Sequence, residues 1–202
     1  MHRSTRTAVW LLLASLLASG PVAPQEAGTG KPPPAAASPD FKQLLSPTPV
    51  TRAVDRGIEY LARNQLPDGS WLSPMGKNTG ILSLAVMALL AAGHEPGRGP
   101  YGEVIDRAIR FILDHQRDGM LITADTSHGP MYEHGISTLL LGEILGMVNE
   151  ERPGYEKISR VHRAAVNLIL RAQNVPKEPS SAGGWRYTPT AIDSDLSMTG
   201  WQ

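Results

Sequence analysis

Residues 56–71 read RGIEYLARNQLPDGSW, and the way this run ends decides the fold. Val54, Ile58 and Leu61 fall at i, i+4 and i+7, the spacing of an amphipathic helix with one packed and one wet face. The helix pattern then stops at Gln65, Pro67, Asp68, Gly69 and Trp71. A helix C-terminus leaves carbonyls unpaired, and a glutamine amide has protons to give them or the next helix. Gly69 permits a turn that a side chain would strain, and Trp71 is expected to lie over the junction with its indole N–H paired. Taken once, this is an ordinary helix stop.

It does not occur once. The same ladder returns from Arg107 as Arg-Ala, Phe111-Ile112, Gln116 and Gly119, and again from Arg163 as Arg-Ala, Leu168-Ile169, Gln173 and Gly183-Gly184-Trp185. The glutamines are 116 − 65 = 51 and 173 − 116 = 57 residues apart, so a unit of about fifty residues repeats with indels in its loops. After each of the first two turns comes a segment that is apolar nearly all round, ILSLAVMALLAA (81–92) and ISTLLLGEILGMV (136–148), the first closed by Gly93. Such helices are expected to be buried on every side. The sequence therefore predicts an all-α chain of hairpins, each pairing an outer amphipathic helix with an inner buried one.

The motif Arg56-Gly57-x-x-Tyr60-Leu61-x-x-x-Gln65-x-x-x-Gly69-x-Trp71 resembles the QW repeat of squalene and hopene cyclases and the related prenyltransferase-type α/α toroids. The resemblance extends over residues 50–202, with Gln65, Gly69, Trp71, Gln116, Gly119, Gln173, Gly184 and Trp185 as the repeat residues. It departs at Leu121, where the family has Trp, and at Leu168, where it has an aromatic. It implies a ring of about six helical hairpins around a central cavity. Two hairpins and the start of a third, about two and a half, are present, and MTGWQ at 198–202 falls where a third inner helix begins, so a partial chain is expected.

Composition narrows the chemistry. Lys+Arg and Asp+Glu both number 19, which leaves no basic surplus to attract nucleic acid. Cysteine is absent, excluding disulfides, thiolate catalysis and the Asp/Cys/His zinc site that the resemblance to protein prenyltransferases would require. The Cys-Gly-Glu-Gln of complement-like thioester toroids is likewise missing. Residues 1–20 have the layout of a secretory signal peptide, Arg3 and Arg6 ahead of an apolar run from Ala8. An uncleaved membrane anchor is the alternative. Residues 21–49 form a Pro/Ala/Gly-rich tether that cannot bury enough surface to order itself. The Ser/Thr-Pro pairs near 46–50 supply an N-cap and a first helical turn, opening the repeat domain at 50–202.

Candidate chemistry gathers where inner helices begin. The cyclase Asp-x-Asp-Asp-Thr motif is matched in part by Asp193-Ser194-Asp195-Leu196-Ser197. By that resemblance Asp195 is the general acid and Asp193 its neighbour; by residue chemistry Asp195 is a helix N-cap, which is the favoured reading. In SHGPMYEHGIS (127–137), His128, Tyr132, Glu133 and His134 open the second inner helix, and His134 is a candidate neutral base or ligand. Glu143, amid LLLGEILGM, is expected to be a buried carboxylate with a partner or a cavity-facing role. Asn78 joins these as a rim residue. The spacing gives no metal site, and no cofactor is expected. Three function classes remain open: an exported toroid binding a protein, a glycan or an apolar ligand in its cavity, which is the favoured reading; a terpene-cyclase-like isomerase using Asp195; and a polysaccharide lyase or hydrolase on an α/α ring using His134 and Glu143.

Overall fold

The computed structural model describes residues 47–74, 76–123 and 129–202, and within them the chain is predominantly helical. The expected signal peptide and all but the last residues of the expected tether lie outside the described residues. Helix α1 spans Pro49–Arg63, so Thr48 and Pro49, assigned above to the tether, start the first helix. The Thr48 hydroxyl accepts from Thr51 N at 3.1 Å and Pro49 opens the first turn, where its missing N–H costs nothing. After a tight antiparallel ladder of β1 (Leu72–Ser73) and β2 (Gly76–Lys77), helix α2 runs Thr79–Ala91. It ends on Gly93 at φ +88°, with His94 N bonding back to Leu89 O at 3.1 Å, a Schellman stop.

Helix α3 (Gly102–Asp114), the ladder of β3 (Gln116–Arg117) and β4 (Met120–Leu121), and helix α4 (Pro130–Met147) repeat the order. Helix α5 (Tyr155–Gln173), a single 3₁₀ turn at Pro179–Ser181 and the short α6 (Leu196–Trp201) complete the chain. Nothing in the sequence pattern pointed to the two-residue ladders, which are too short to show an alternation.

The amphipathic helices lie on one side and the apolar ones on the other. Helix α2 packs most extensively on α4, α4 on α5 and α6, and α3 on α2. Thr79 bonds Glu133 and the Ser83 hydroxyl lies 3.1 Å from that of Ser137, so α2 and α4 run parallel at a constant offset of 54 residues. Small residues permit this approach: a Cβ on Gly80 would sit 3.1 Å from Glu133 Cα. Leu82, Val86 and Leu89 of α2, Ile105, Ala108 and Ile112 of α3, and Leu140, Leu141 and Ile144 of α4 form the main core with Ile158 and Ala165 of α5. A second cluster gathers Met131, Leu168, Ala172 and Met198, with Trp185 packed against it.

The turn that opened the reading is the joint between hairpins. Gln65 Nε2 donates to Gly69 O (3.1 Å) and across to Val104 O (2.8 Å), while its Oε1 accepts from Arg107 Nε (3.0 Å) and Nη2 (2.5 Å). Trp71 Nε1 caps the first helix by donating to Leu61 O at 2.8 Å. At the third copy the same bonds recur across a longer loop, Gln173 Nε2 to Gly183 O (3.1 Å) and Trp185 Nε1 to Ile169 O (2.8 Å). The glycine equivalent to Gly69 is therefore Gly183, with φ +77°, and not Gly184, which faces Ser194. At the second copy the Gln116 amide lies against Gly119 N, 2.6 Å from it once its oxygen is turned to accept, and Leu121, without an indole, is fully buried.

Two expectations fail on burial. The apolar helices are not covered all round: Leu84 of α2 and Leu139 and Met147 of α4 are 43%, 42% and 43% exposed, and Glu143 is exposed with them. Val54, expected on the packed face of α1, is 48% exposed, and Ile58 alone is fully buried on that helix.

Gly69 has φ +91°, and a Cβ there would fall inside the van der Waals shell of the Arg107 carbonyl. Replacing Gly69→Ala is therefore expected to lower stability by roughly 2–4 kcal/mol, backbone strain plus displacement of the joint. Urea unfolding followed by helical circular dichroism measures it; a change under about 0.5 kcal/mol, the range of an innocuous surface substitution, contradicts the joint.

Candidate functional site

The edge where α2, α4 and α6 start is built from side chains that satisfy helix N-termini. Asn78 Oδ1 accepts from Ile81 N at 2.9 Å and caps α2. The next free N–H of that helix, on Thr79, is taken by the neighbouring helix: Glu133, in the first turn of α4, accepts from Thr79 N at 3.1 Å. The same Oε2 lies 2.9 Å from the Thr79 hydroxyl and 3.2 Å from both N and Oγ1 of Thr123. Glu133 is only 4% exposed, and its Oε1 has no hydrogen-bond partner among the described residues. The carboxylate expected to bind a ligand thus clamps α2, α4 and the segment after β4 together. Thr123, which completes the clamp, carried no motif that would have singled it out.

His134 is likewise inward. It is fully buried; its Nδ1 accepts from Leu121 N at 3.2 Å, which leaves Nε2 to donate to Ala165 O at 3.2 Å. Both nitrogens are spent on backbone, so the expected base or ligand is a staple between β4, α4 and α5. Burial pushes its pKa down to about 4, against a smaller upward pull from the Ala165 carbonyl. His128, the other histidine of this stretch, lies outside the described residues.

At the start of α6, Asp195 is a cap. Its Oδ1 accepts from Met198 N at 2.8 Å and from the Ser197 hydroxyl at 2.7 Å, and Oδ2 meets Arg186 Nη1 at 3.2 Å. These bonds, the Met198 N–H foremost, hold the carboxyl below its ordinary range. Asp193 pairs with Nε of the same arginine at 3.4 Å. An acid that must keep its proton requires the opposite shift, so the geometry does not supply the proton donor expected from the cyclase-like motif. Tyr132 joins this group through its hydroxyl, 2.7 Å from Ser197 Oγ, and its ring lies 6.0 Å from that of Tyr187. Arg186 stands over the Tyr187 ring at 4.6 Å, and the bond to Asp195 raises the Tyr187 pKa. Arg186 and Tyr187 were missed from sequence although they directly follow Trp185.

Glu143 stands apart from these groups. It lines a groove of about 340 Å³ between α4, α5 and α6, with Leu139, His162, Val166, Trp185 and Trp201. Burial lowers the pKa of His162. A larger cleft of about 870 Å³ lies elsewhere, beside the loops after α2 and α4, where Arg152 pairs with Asp106 and Lys157 with Asp114 at 3.2 Å. Among the described residues no three His, Asp or Glu side chains converge to hold a metal ion. No described helix is long and apolar enough to cross a membrane.

No family model, curated protein or solved structure compared with the chain matches it.

Because His134 is held neutral when folded and takes up a proton near its ordinary value of 6.5 when unfolded, its contribution is whole above pH 6.5. It is lost as pH falls through the interval from 6.5 to about 4, on the order of 3 kcal/mol in all. His162 adds a smaller loss of the same sign. Chemical denaturation across that interval is expected to show a falling stability, and His134→Gln, whose amide offers one acceptor and one donor, is expected to flatten most of it. An unchanged slope in the variant contradicts the assignment.

Proposed function

We propose that this chain is an exported α/α-toroid protein, about two and a half hairpins of a ring, that binds an elongated apolar ligand against its inner helices without performing cyclase chemistry. The ring reading is supported by the parallel inner helices at a fixed offset and by the recurrence of the Gln…Gly-x-Trp bonds at the first and third turns. The observation that carries the binding reading is the exposure of Leu84 of α2 and Leu139 of α4 on helices that are otherwise apolar and buried. It is continued by the groove with Trp185 and Trp201 on its wall and Glu143 and His162 as its polar groups. Surface of this kind on otherwise buried helices marks a binding face. A ligand with an apolar chain and one hydroxyl or cationic head fits that lining, whereas a glycan would find few polar partners along it.

The enzymatic alternatives lose their players. Asp195 is stabilised as a carboxylate, and His134 has no nitrogen to spare. Of Asp195, His134 and Glu143, Glu143 is the exposed one.

Titration with a polyprenol, followed by tryptophan fluorescence, is expected to saturate and to be lost in Leu139→Glu while helical content is unchanged. Incubation with squalene is expected to return it unchanged. Cyclised product that disappears in Asp195→Asn, or the absence of saturable binding, overturns the proposal. For export, the mature protein is expected outside the cytoplasm and without Met1.

A further inference from the structure

The consecutive amphipathic helices α3 and α5 both line the cleft of about 870 Å³, and the charges they bring to it follow a pattern. Asp106, Arg110 and Asp114 stand one turn apart along α3. Asp106 pairs with Arg152 of the loop leading into α5, and Asp114 with Lys157 of the first turn of α5 at 3.2 Å. Arg110, between these two pairs, meets no acid of that loop or helix among the described residues. It bonds instead along its own helix to Glu103 at 2.7 Å, and Glu103, which also stands 4.0 Å from Arg107, has its side chain 64% exposed. An exposed pair of that kind holds a guanidinium only weakly.

Arg152 is short of an acceptor as well. Its Nη2 bonds Asp106, and Gly97 closes one side of the pair: a Cβ there would fall 3.3 Å from Asp106 Oδ2 and 3.6 Å from Arg152 Nη2. The other nitrogen, Nη1, is buried and bonds nothing among the described residues, which leaves a charged donor unsatisfied. The lining as a whole holds four cations, Arg98, Arg110, Arg152 and Lys157, against the three carboxylates of Glu95, Asp106 and Glu151. Glu95 is taken by Arg98 at 3.3 Å, and Glu151 forms no ion pair among the described residues. The same lining carries apolar side chains, Ile109 and Ile158 buried, Leu113 and Val148 half-buried and Met147 exposed.

What this lining lacks is one negative charge on an apolar body. We propose that the cleft binds an amphipathic monocarboxylate, its carboxylate between Arg110, Arg152 and Lys157 and its body against Leu113, Met147 and Val148. The carboxylate supplies the acid that is missing opposite Arg110. The volume lies within the roughly 300–1,000 Å³ of small-molecule sites. A phosphate dianion exceeds the missing charge and makes no use of the apolar side chains. Every lining residue falls between 95 and 158, so the site depends on neither end of the chain, and it is separate from the groove and the ligand proposed above.

Titration calorimetry of the whole chain with octanoate is expected to show one saturable site whose affinity falls as salt is raised. Arg110→Gln, at an exposed side chain, is expected to weaken it about tenfold with helical content unchanged, as loss of one charge-assisted hydrogen bond does, and Lys157→Gln by a similar factor. Leu139→Glu, on the other groove, is expected to leave octanoate binding unchanged. Octanol binding as tightly as octanoate, meaning an apolar cavity only, or inorganic phosphate binding as tightly, meaning an adventitious ion only, overturns the inference. So does octanoate binding that Arg110→Gln leaves intact, or the absence of saturable binding.

Discussion

The arrangement depends on one buried carboxylate. Parallel packing of α2 and α4 sets two helix N-termini side by side, and each carries the positive end of a dipole and unpaired N–H groups. Glu133 lies between them, in the first turn of α4 and on the Thr79 N–H of α2, and a negative charge there offsets both ends at once. Thr123 adds two further donors, which fixes the segment leading from β4 into the same knot. Without that group the small-residue contact of Gly80 and Ser83 with α4 would bring like dipole ends together with nothing between them. Helices α2 and α4 sit in register because the carboxylate does.

This assigns the polar groups of the rim to construction. Asn78, Glu133, His134 and Asp195 each hold a backbone N–H or carbonyl of a helix or of β4, while Glu133 Oε1 is left without a partner among the described residues. What is left facing solvent on the inner layer is Leu84, Leu139, Met147 and the single carboxylate of Glu143.

The hairpin order and the turn residues were legible because the pattern recurs: a helix stop seen once is ambiguous, but Gln65 and Gln173 each bonding the carbonyl of the glycine two residues before a tryptophan is a constraint that the recurring copies had already written into the sequence. Burial was less legible. A segment apolar on all sides reads as enclosed, and periodicity gives no sign of a helix that borders an apolar opening, so Leu139 and Glu143 were misplaced together. The choice between Gly183 and Gly184 turned on φ, which adjacent glycines conceal, although the two-residue step to Trp185 pointed to the former. His134 was selected for its chemistry; that Leu121 N and Ala165 O converge on its two nitrogens is a tertiary fact with no local signature.

The central claim is that Glu133 holds the inner helices in register, and its coupling to Thr79 tests it most directly. A double-mutant cycle of Glu133→Gln and Thr79→Val, read by urea unfolding, is predicted to give an interaction energy of about 1–3 kcal/mol, as for residues sharing a buried hydrogen-bond network. Effects that add to within about 0.5 kcal/mol would contradict it.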